Sequence, residues 1–376
     1  MPAKRWRSRA SRSRIRPHRS GRRGLFVDSA DFDALAVLAE AKMPPASWAF
    51  CAAGADDEIT ANENIAAWRA LRLKPRVLND VGNVDLRTSL LGAPVSTPIM
   101  VAPTGRHKLF NAEGERATAR GAAMAEAAYV MASNSNVTIE AAAAERKTAP
   151  QWFQLYYWPN RAEVEALIDR LAAAGFSALV LTVDAPVPGW SPRAARAQHA
   201  PSPEIRNINM PGQPMARTAY HPDFAGKVMY PATWRELEWL AKRAPMPVMV
   251  KGVLRADDAT RCAACGARAV IVSNHGGRHL DGTVTTAAVI GDIARALSGK
   301  AEVYVDGGIR RGTDILKALA LGARAVLIGR PVIWGLAVNG AEGVRDVLDH
   351  LRIELTRAMQ LCGAANLAQL TPDLVA

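Results

Sequence analysis

Ser273-Asn274-His275-Gly276-Gly277-Arg278, following directly on the apolar run Ala269-Val270-Ile271-Val272, is the stretch from which the rest of the chain is read. An apolar, β-branched run that stops at Ser-Asn-His-Gly-Gly reads as a buried parallel strand handing polar side chains to a glycine-rich loop at its C-terminal end. His275 can titrate near neutrality, and Arg278, three residues on, is a planar cation able to hold a carboxylate at two points. The pair implies proton removal from an anionic substrate. Taken alone, the loop is equally compatible with a solvated histidine and a surface arginine, so the neighbouring sequence has to decide.

Working outward, eight short apolar runs recur with room for a helix after each: residues 98–102, 129–132, 152–156, 178–183, 248–251, 269–273, 302–306 and 325–329. Alanine-rich helical patterns at 113–127, 161–174, 256–265 and 312–321 fill several of the gaps, each closing near a glycine that can cap it. This rhythm predicts an α/β chain folded as a closed (β/α)8 TIM barrel. Helical patterns at 31–41, 47–51 and 56–68 precede the first strand and predict an N-terminal cap on it. After the fourth strand, residues 186–230 are rich in Pro, Arg, Asn and Gly without periodicity, which predicts a long loop at the catalytic face, a lid or a segment without order.

Length and composition fit this reading. A chain of 376 residues can bury the core of one barrel or of two ordinary domains. The formal charge of +12 would suggest nucleic acid were it not so localised, for Lys4 and nine arginines lie within residues 1–24, which hold no acid. The remaining 37 of the 47 cations nearly balance 35 acids, so the basicity belongs to a tail expected to be disordered, with residues 25–376 forming the barrel and its cap. Nucleic-acid binding would rest on that tail alone, because the barrel shows no basic stripe with interleaved aromatics. No run reaches the ~18 apolar residues of a membrane span, and the tail lacks the apolar core of a secretion signal. Cys51, Cys262, Cys265 and Cys362 do not make a disulfide framework, so a reducing cytoplasm is expected. The Cys262/Cys265 pair lies in a helical pattern with no further ligands nearby, and no metal site is expected.

The strand ends carry the chemistry. In order they offer Pro103-Thr104-Gly105, Ser133-Asn134, Gln154 with Tyr156, Thr182 with Asp184, Lys251, the Ser273–Arg278 loop, Asp306-Gly307-Gly308-Ile309-Arg310, and Gly329-Arg330. Glycines combined with arginines after the seventh and eighth strands suit a phosphate, because bare backbone N–H groups can close on the anion. Gln154, Thr182 and Ser273 suit the polar edge of a flat heterocycle, and Lys251 is a buried cation in need of a negative partner. A flavin mononucleotide would meet both demands.

From about Leu35 to its end the chain resembles the FMN-dependent α-hydroxy acid oxidases and dehydrogenases, in the stretches APTG, WFQLYY, LTVDAP, VKGV, VSNHGGRHLDG, VDGGIRRGTD and IGRP, which follow the order of that family. The resemblance implies oxidation of a 2-hydroxy acid to a 2-oxo acid in a barrel holding FMN, with oxygen or another acceptor taking the electrons, in a homo-oligomer, by family a tetramer. It implies that His275 is the base, Asp184 its carboxylate partner, Tyr156 the group beside the substrate hydroxyl and Arg278 the carboxylate anchor. Lys251 would meet the flavin N1 side, and Asp306 to Arg310 with Gly329 and Arg330 would hold the phosphate. A relative acting on a modified peptide would keep the phosphate loops and Lys251 without needing Arg278.

Several positions depart from the family pattern. Phe50 stands where a carboxylate-binding tyrosine is usual. Gly189-Trp190-Ser191-Pro192-Arg193 replaces a loop that brings a second arginine, and Ala132-Ser133 shifts a flavin-facing serine by one residue. Arg193, Arg106 and His107 are candidates for replacement charge. Phe50, Trp190 and Tyr156 predict an apolar, aromatic pocket that favours bulky or aryl 2-hydroxy acids over glycolate and lactate. Gly105, where many oxygen-using relatives have alanine, would leave space near the flavin and favour an acceptor other than oxygen.

Overall fold

Eight runs buried on both faces close into a barrel in a computed structural model that describes residues 32–197, 205–210 and 230–376. A hairpin of β1 (Thr88–Leu90) and β2 (Ala93–Val95) comes first. The barrel strands follow as β3 (Ile99–Val101), β4 (Ala128–Ala132), β5 (Gln151–Leu155), β6 (Ala178–Thr182), β7 (Val248–Val253), β8 (Ala269–Val272), β9 (Glu302–Val305) and β10 (Ala325–Ile328). All are parallel to their neighbours, and β10 pairs with β3 to close the ring. No strand end lies more than two residues from its sequence-based position. Register sets the chemistry at one level: Ala132 pairs with Gln154 and Thr182 with Lys251, at the C-terminal rim.

Two apolar layers hold the barrel. Met100, Val130, Trp152, Val180, Met249, Ile271, Tyr304 and Leu327 fill its interior, while the alternate strand residues pack outward on the helices. The β1–β2 hairpin had no expected counterpart. Its Leu90 and Val95 join the interior cluster, and Leu91 N–H donates to the Glu302 carboxylate at 3.0 Å, at the first residue of β9, so the hairpin closes the N-terminal end. Its strands are three residues each, too short for alternation to announce them.

The cap consists of α1 (Phe32–Lys42), α2 (Pro45–Ala52) and α3 (Ile59–Ala70). Residue Glu58, which precedes α3, gives that helix no side-chain cap. Asp281, from the loop after β8, serves instead: it accepts from Thr60 N–H at 2.7 Å and Ile59 N–H at 3.1 Å, satisfying two orphan donors with a negative charge at the positive end of the helix. Further along α3, Asn64 and Asn274 exchange amide hydrogen bonds of 2.8 Å, and Trp68 Nε1–H donates to Gly307 carbonyl at 2.8 Å. A Cβ on Gly277 would stand 2.4 Å from Ala61 N, so only glycine lets α3 lie on the loop that carries His275.

Between the strands run helices that include α4 (Glu115–Met124), α5 (Ile139–Ala143) and α6 (Arg161–Ala173). After β6 come α7 (Pro192–Arg196) and α8 (Trp234–Arg243). The last three are α9 (Ala256–Ala264), α10 (Thr286–Leu297) and α11 (Gly312–Ala320). A final helical stretch, α12 (Arg330–Leu361), bends at Asn339 and Gly340. Cys262 is buried on α9, and Cys265 at its end lies 3.6 Å from a Glu238 carboxylate oxygen. No helix of the described residues is long and apolar enough to cross a membrane. The tail of residues 1–24, and 198–204 and 211–229 of the expected lid, lie outside the described residues.

Candidate active site

A cavity of about 310 Å3 opens at the C-terminal ends of the strands, and the loop after β8, with His275, Gly276 and Arg278, forms one wall. His275 holds a left-handed backbone with φ of 56°, and its N–H donates to Ser273 Oγ at 3.0 Å. Its Nδ1 lies 2.9 Å from Asp184 Oδ1, and its Nε2 lies 3.2 Å from Tyr156 Oη. With Nδ1–H given to the carboxylate, the lone pair of the neutral ring sits on Nε2, on the Tyr156 side. Burial opposes ionisation of Asp184, but the charge and hydrogen bond of His275, with Lys251 beyond, hold its carboxyl well below the usual range. Burial, and then Tyr230 and Asp184, raise the Tyr156 phenol well above its ordinary value, so it stays protonated.

Behind this relay, Lys251 Nζ donates to Ser273 Oγ at 2.8 Å and meets Asp306 Oδ2 at 3.1 Å. Burial alone would strip its proton, but Asp306 and Asp184 raise the amine above its ordinary value and keep it charged. Lys251, Asp306, Gln154, Pro103, Thr104 and Gly105 all line the cavity. Thr182 and Ser273 stand behind the wall. Ser273 supports Lys251 and His275, and Thr182 Oγ1 is buried without a partner among the described residues.

The arginines converge from three elements. Arg278 Nη1 donates to Cys51 carbonyl at 3.3 Å and Ala53 carbonyl at 2.8 Å, where α2 ends. Arg330 binds the same two carbonyls at 3.2 and 2.9 Å and reaches Gly276 carbonyl at 3.0 Å. Arg310 lies over the Trp334 ring, 5.2 Å from its centre. Burial, then Arg278 and Arg310, lower Arg330 to about 9, and burial lowers Arg310 to about 10. Such a crowd of desolvated cations is stabilised by a bound anion. Gly307, Gly308 and Gly329 line the cavity beside them.

Phe50 is a ring shared by two cations: Arg278 lies 5.1 Å and Arg106 5.4 Å from its centre, and it stacks on Phe110 at 6.5 Å. The other candidates for replacement charge sit elsewhere. Arg193 is ion-paired with Glu58 at 2.5 Å and does not line the cavity. His107 is fully buried between the hydroxyls of Thr104 at 2.7 Å and Thr118 at 2.8 Å, and burial pushes it down to about 3, so it is neutral. Ser133 is occupied with the Gln154 Oε1 acceptor, 3.3 Å from its N–H. Nor does Gly105 open space, since a Cβ there would meet Asn134 Cβ at 2.9 Å.

Two residues of the site were not singled out from the sequence, Tyr230 for want of any pattern and His279 although it lies within the VSNHGGRHLDG stretch. Tyr230 stacks on Tyr156 with centres 4.4 Å apart, from the end of a loop without periodicity. His279 stands edge-on to His275 at 4.2 Å and accepts Gly189 N–H on Nδ1 at 3.0 Å, which ties the loop after β6 to the loop after β8. Burial, then the neighbouring His275, hold it well below its ordinary value and therefore neutral.

The donor set fits the flavin mononucleotide implied by the sequence. Gln154 Nε2 and Asp306 Oδ1 are buried on cavity-lining residues without partners among the described residues, and such atoms await a polar ligand edge. Comparison with known proteins agrees. A model of the FMN-dependent dehydrogenase family matches residues 39–376. An L-lactate oxidase of Nostoc sp. is 44% identical over 341 residues, 88% of this chain and 93% of that protein. The 2-hydroxyacid oxidase 2 of Mus musculus is 39% identical, over 92% of this chain and 97% of its own. Among solved structures, mandelate oxidase with 3,3-difluoro-2-hydroxy-3-phenylpropionic acid superposes with a TM-score of 0.84 at 36% identity, covering 92% of this chain and 98% of that one. Barrel, relay and cation cluster thus meet a match that runs from the cap to the last residue, and the chain belongs to the FMN-dependent dehydrogenase family.

Proposed function

We propose that the protein oxidises a 2-hydroxy acid bulkier than lactate to its 2-oxo acid, with Asp184, His275 and Tyr156 as the proton-handling relay. The observation that carries this reading is the Asp184–His275–Tyr156 chain of 2.9 and 3.2 Å contacts opening on a cavity that also receives Arg278. Arg278 holds the substrate carboxylate, which turns Cα and its hydroxyl toward His275 Nε2 and the Tyr156 phenol. His275 accepts a proton there, and Asp184 stabilises the imidazolium that forms. Bound FMN supplies the two-electron acceptor, so that loss of the Cα hydrogen and the hydroxyl proton leaves a carbonyl.

Lys251 sets a fixed positive charge where negative charge grows, at no cost in reorganisation. Arg310, Arg330 and the glycine backbone at 307, 308 and 329 hold the FMN phosphate. Phe50, Phe110, Trp190 and Tyr230 line the cavity with aromatic surface, which supports a bulky substituent. Structures of mandelate oxidase with (S)-2-phenylpropionate and benzoyl-formic acid are similar to this chain. Relatives named oxidases support oxygen as the acceptor. A reducing cytoplasmic setting fits the four free thiols, and a homotetramer is the assembly that light scattering would test. The deciding experiment is anaerobic flavin reduction across glycolate, lactate, 2-hydroxyoctanoate and mandelate. Higher kcat/KM for the two bulky acids supports the reading, whereas preference for glycolate or lactate overturns the bulky substituent.

A further inference from the structure

Arg106 is a cation that the reaction described above does not use. It is 7% exposed, has a left-handed φ of 61°, and donates its backbone N–H to Asn134 carbonyl at 2.9 Å. Its guanidinium lies over Phe50 as that of Arg278 does, and both cations act on the Tyr156 phenol, the group beside His275. Burial lowers its pKa, Tyr230 raises it, and the Arg278 charge lowers it again.

The two arginines reach the cavity from different sides of the barrel. Arg278 shares the loop after β8 with His275, so a carboxylate bound to it leaves Cα facing the base. Arg106 comes from the loop after β3, next to Asn134 at the end of β4, with Tyr230 close enough to act on its charge. On that side Phe50 and Phe110 stack into an apolar wall with a cation at its edge, which a substituent on Cα directed there would meet. Arg106 is buried before any substrate binds, and an anionic end on the substituent would offset both that desolvation and the repulsion from Arg278, beyond what a hydrocarbon end contributes by burial.

We propose that Arg106 makes the site selective for 2-hydroxy acids that carry a second anionic group on the substituent, such as a 2-hydroxy dicarboxylic acid or an aryl 2-hydroxy acid with a ring carboxylate. This rests on the reading of the protein as a 2-hydroxy acid oxidising enzyme. Arg278 takes the carboxylate next to the reacting carbon and Arg106 the distal one, with Asn134 and Tyr230 beside it.

Matched pairs test the assignment: 2-hydroxyglutarate against 2-hydroxyhexanoate, and 4-carboxymandelate against 4-methylmandelate, by anaerobic flavin reduction. A second readout is the Kd of 2-oxoglutarate and 2-oxohexanoate, measured by calorimetry on the flavin-loaded protein. The wild type is expected to favour the dianionic member of each pair. Arg106→Met is expected to cost that member about 10- to 100-fold in kcat/KM and in Kd, the range of a charge-assisted hydrogen bond, with a loss at least tenfold smaller for its monoanionic partner. Arg106→Lys should recover part of the difference, because it keeps the charge without the fork. Preference of the wild type for the monoanionic members overturns the proposal, and that comparison stands even if the methionine variant does not fold. Equal losses for both members would instead make Arg106 a second anchor for the first carboxylate, and overturn it too. Reduction by neither member of either pair would remove the 2-hydroxy acid reading and this proposal together, while reduction by the monoanionic acids alone removes only the latter.

Discussion

His275 occupies a region of backbone space that residues with a Cβ rarely adopt, at φ of 56°. Asparagine tolerates that region better than alanine, so His275→Asn is the cleaner test of the base. The variant should stay folded with flavin bound, and reduction by substrate should fall by about 10^2- to 10^4-fold or more. Asp184→Asn should act through the ring rather than the fold, lowering kcat by about 10^2- to 10^4-fold at unchanged flavin content, because an amide favours the wrong tautomer. Unaltered single-turnover reduction in either variant would remove that residue from the relay. The reading of individual residues from sequence gave the right position where a motif fixed both the type and the strand end, as for Asp184, Lys251 and His275, which the structure brings together. It failed where the outcome depended on a neighbour remote in sequence. His107 and Arg106 are adjacent in the chain, yet one is sealed among hydroxyls and the other lines the cavity. Nothing in Gly105 itself discloses that Asn134 fills the volume beside it.

The loop and helix after β3 form an element with opposed titrations. Glu115, at the start of α4, accepts N–H groups from His107 at 3.1 Å and Asn136 at 3.0 Å, and burial raises it to about 7. Stability from that raised carboxyl is fully present below its unfolded value near 4.3 and is lost as pH rises through about 7. His107 runs the other way: its folded value near 3 lies below the unfolded ~6.5, so its contribution is present above about 6.5 and is lost as pH falls toward 3. Between about pH 4.5 and 6.5 the two slopes cancel in the wild type. Relative to it, Glu115→Gln should tilt urea-unfolding stability upward with pH, and His107→Gln downward, each by about 1.4 kcal/mol per unit. Identical slopes in all three proteins would show that neither group titrates as described. Elements were legible wherever a period of two or a run of β-branched residues had room to develop. The β1–β2 hairpin and the bent α12 were not, the first for want of length and the second because Asn339 and Gly340 break its pattern.

At the scale of the whole molecule, the cap and barrel meet through the loops that carry the chemistry, so the cofactor should also be a structural ligand. Denatured protein should release FMN and no dinucleotide, and added FMN should raise the Tm of the apoprotein, since a ligand bound only by the folded state stabilises it by mass action. Deleting residues 1–24 should alter neither flavin content nor turnover, the expectation from a segment with little to pack. The barrel was visible in the sequence because eight strands repeat one signal, whereas the fit of the cap on the barrel depends on single contacts such as Asn64 with Asn274 and Asp281 with Thr60. One of these junctions makes two binding events reciprocal. Arg278, the proposed substrate anchor, and Arg330, a proposed phosphate ligand, hang from the same carbonyls of Cys51 and Ala53. An anion bound by either guanidinium is therefore expected to change how tightly the other holds its own. Linkage then requires that a bound 2-oxo acid tighten the binding of flavin by the same factor by which flavin tightens the binding of the acid, so an enzyme kept supplied with product should retain more flavin than one that is dialysed clean.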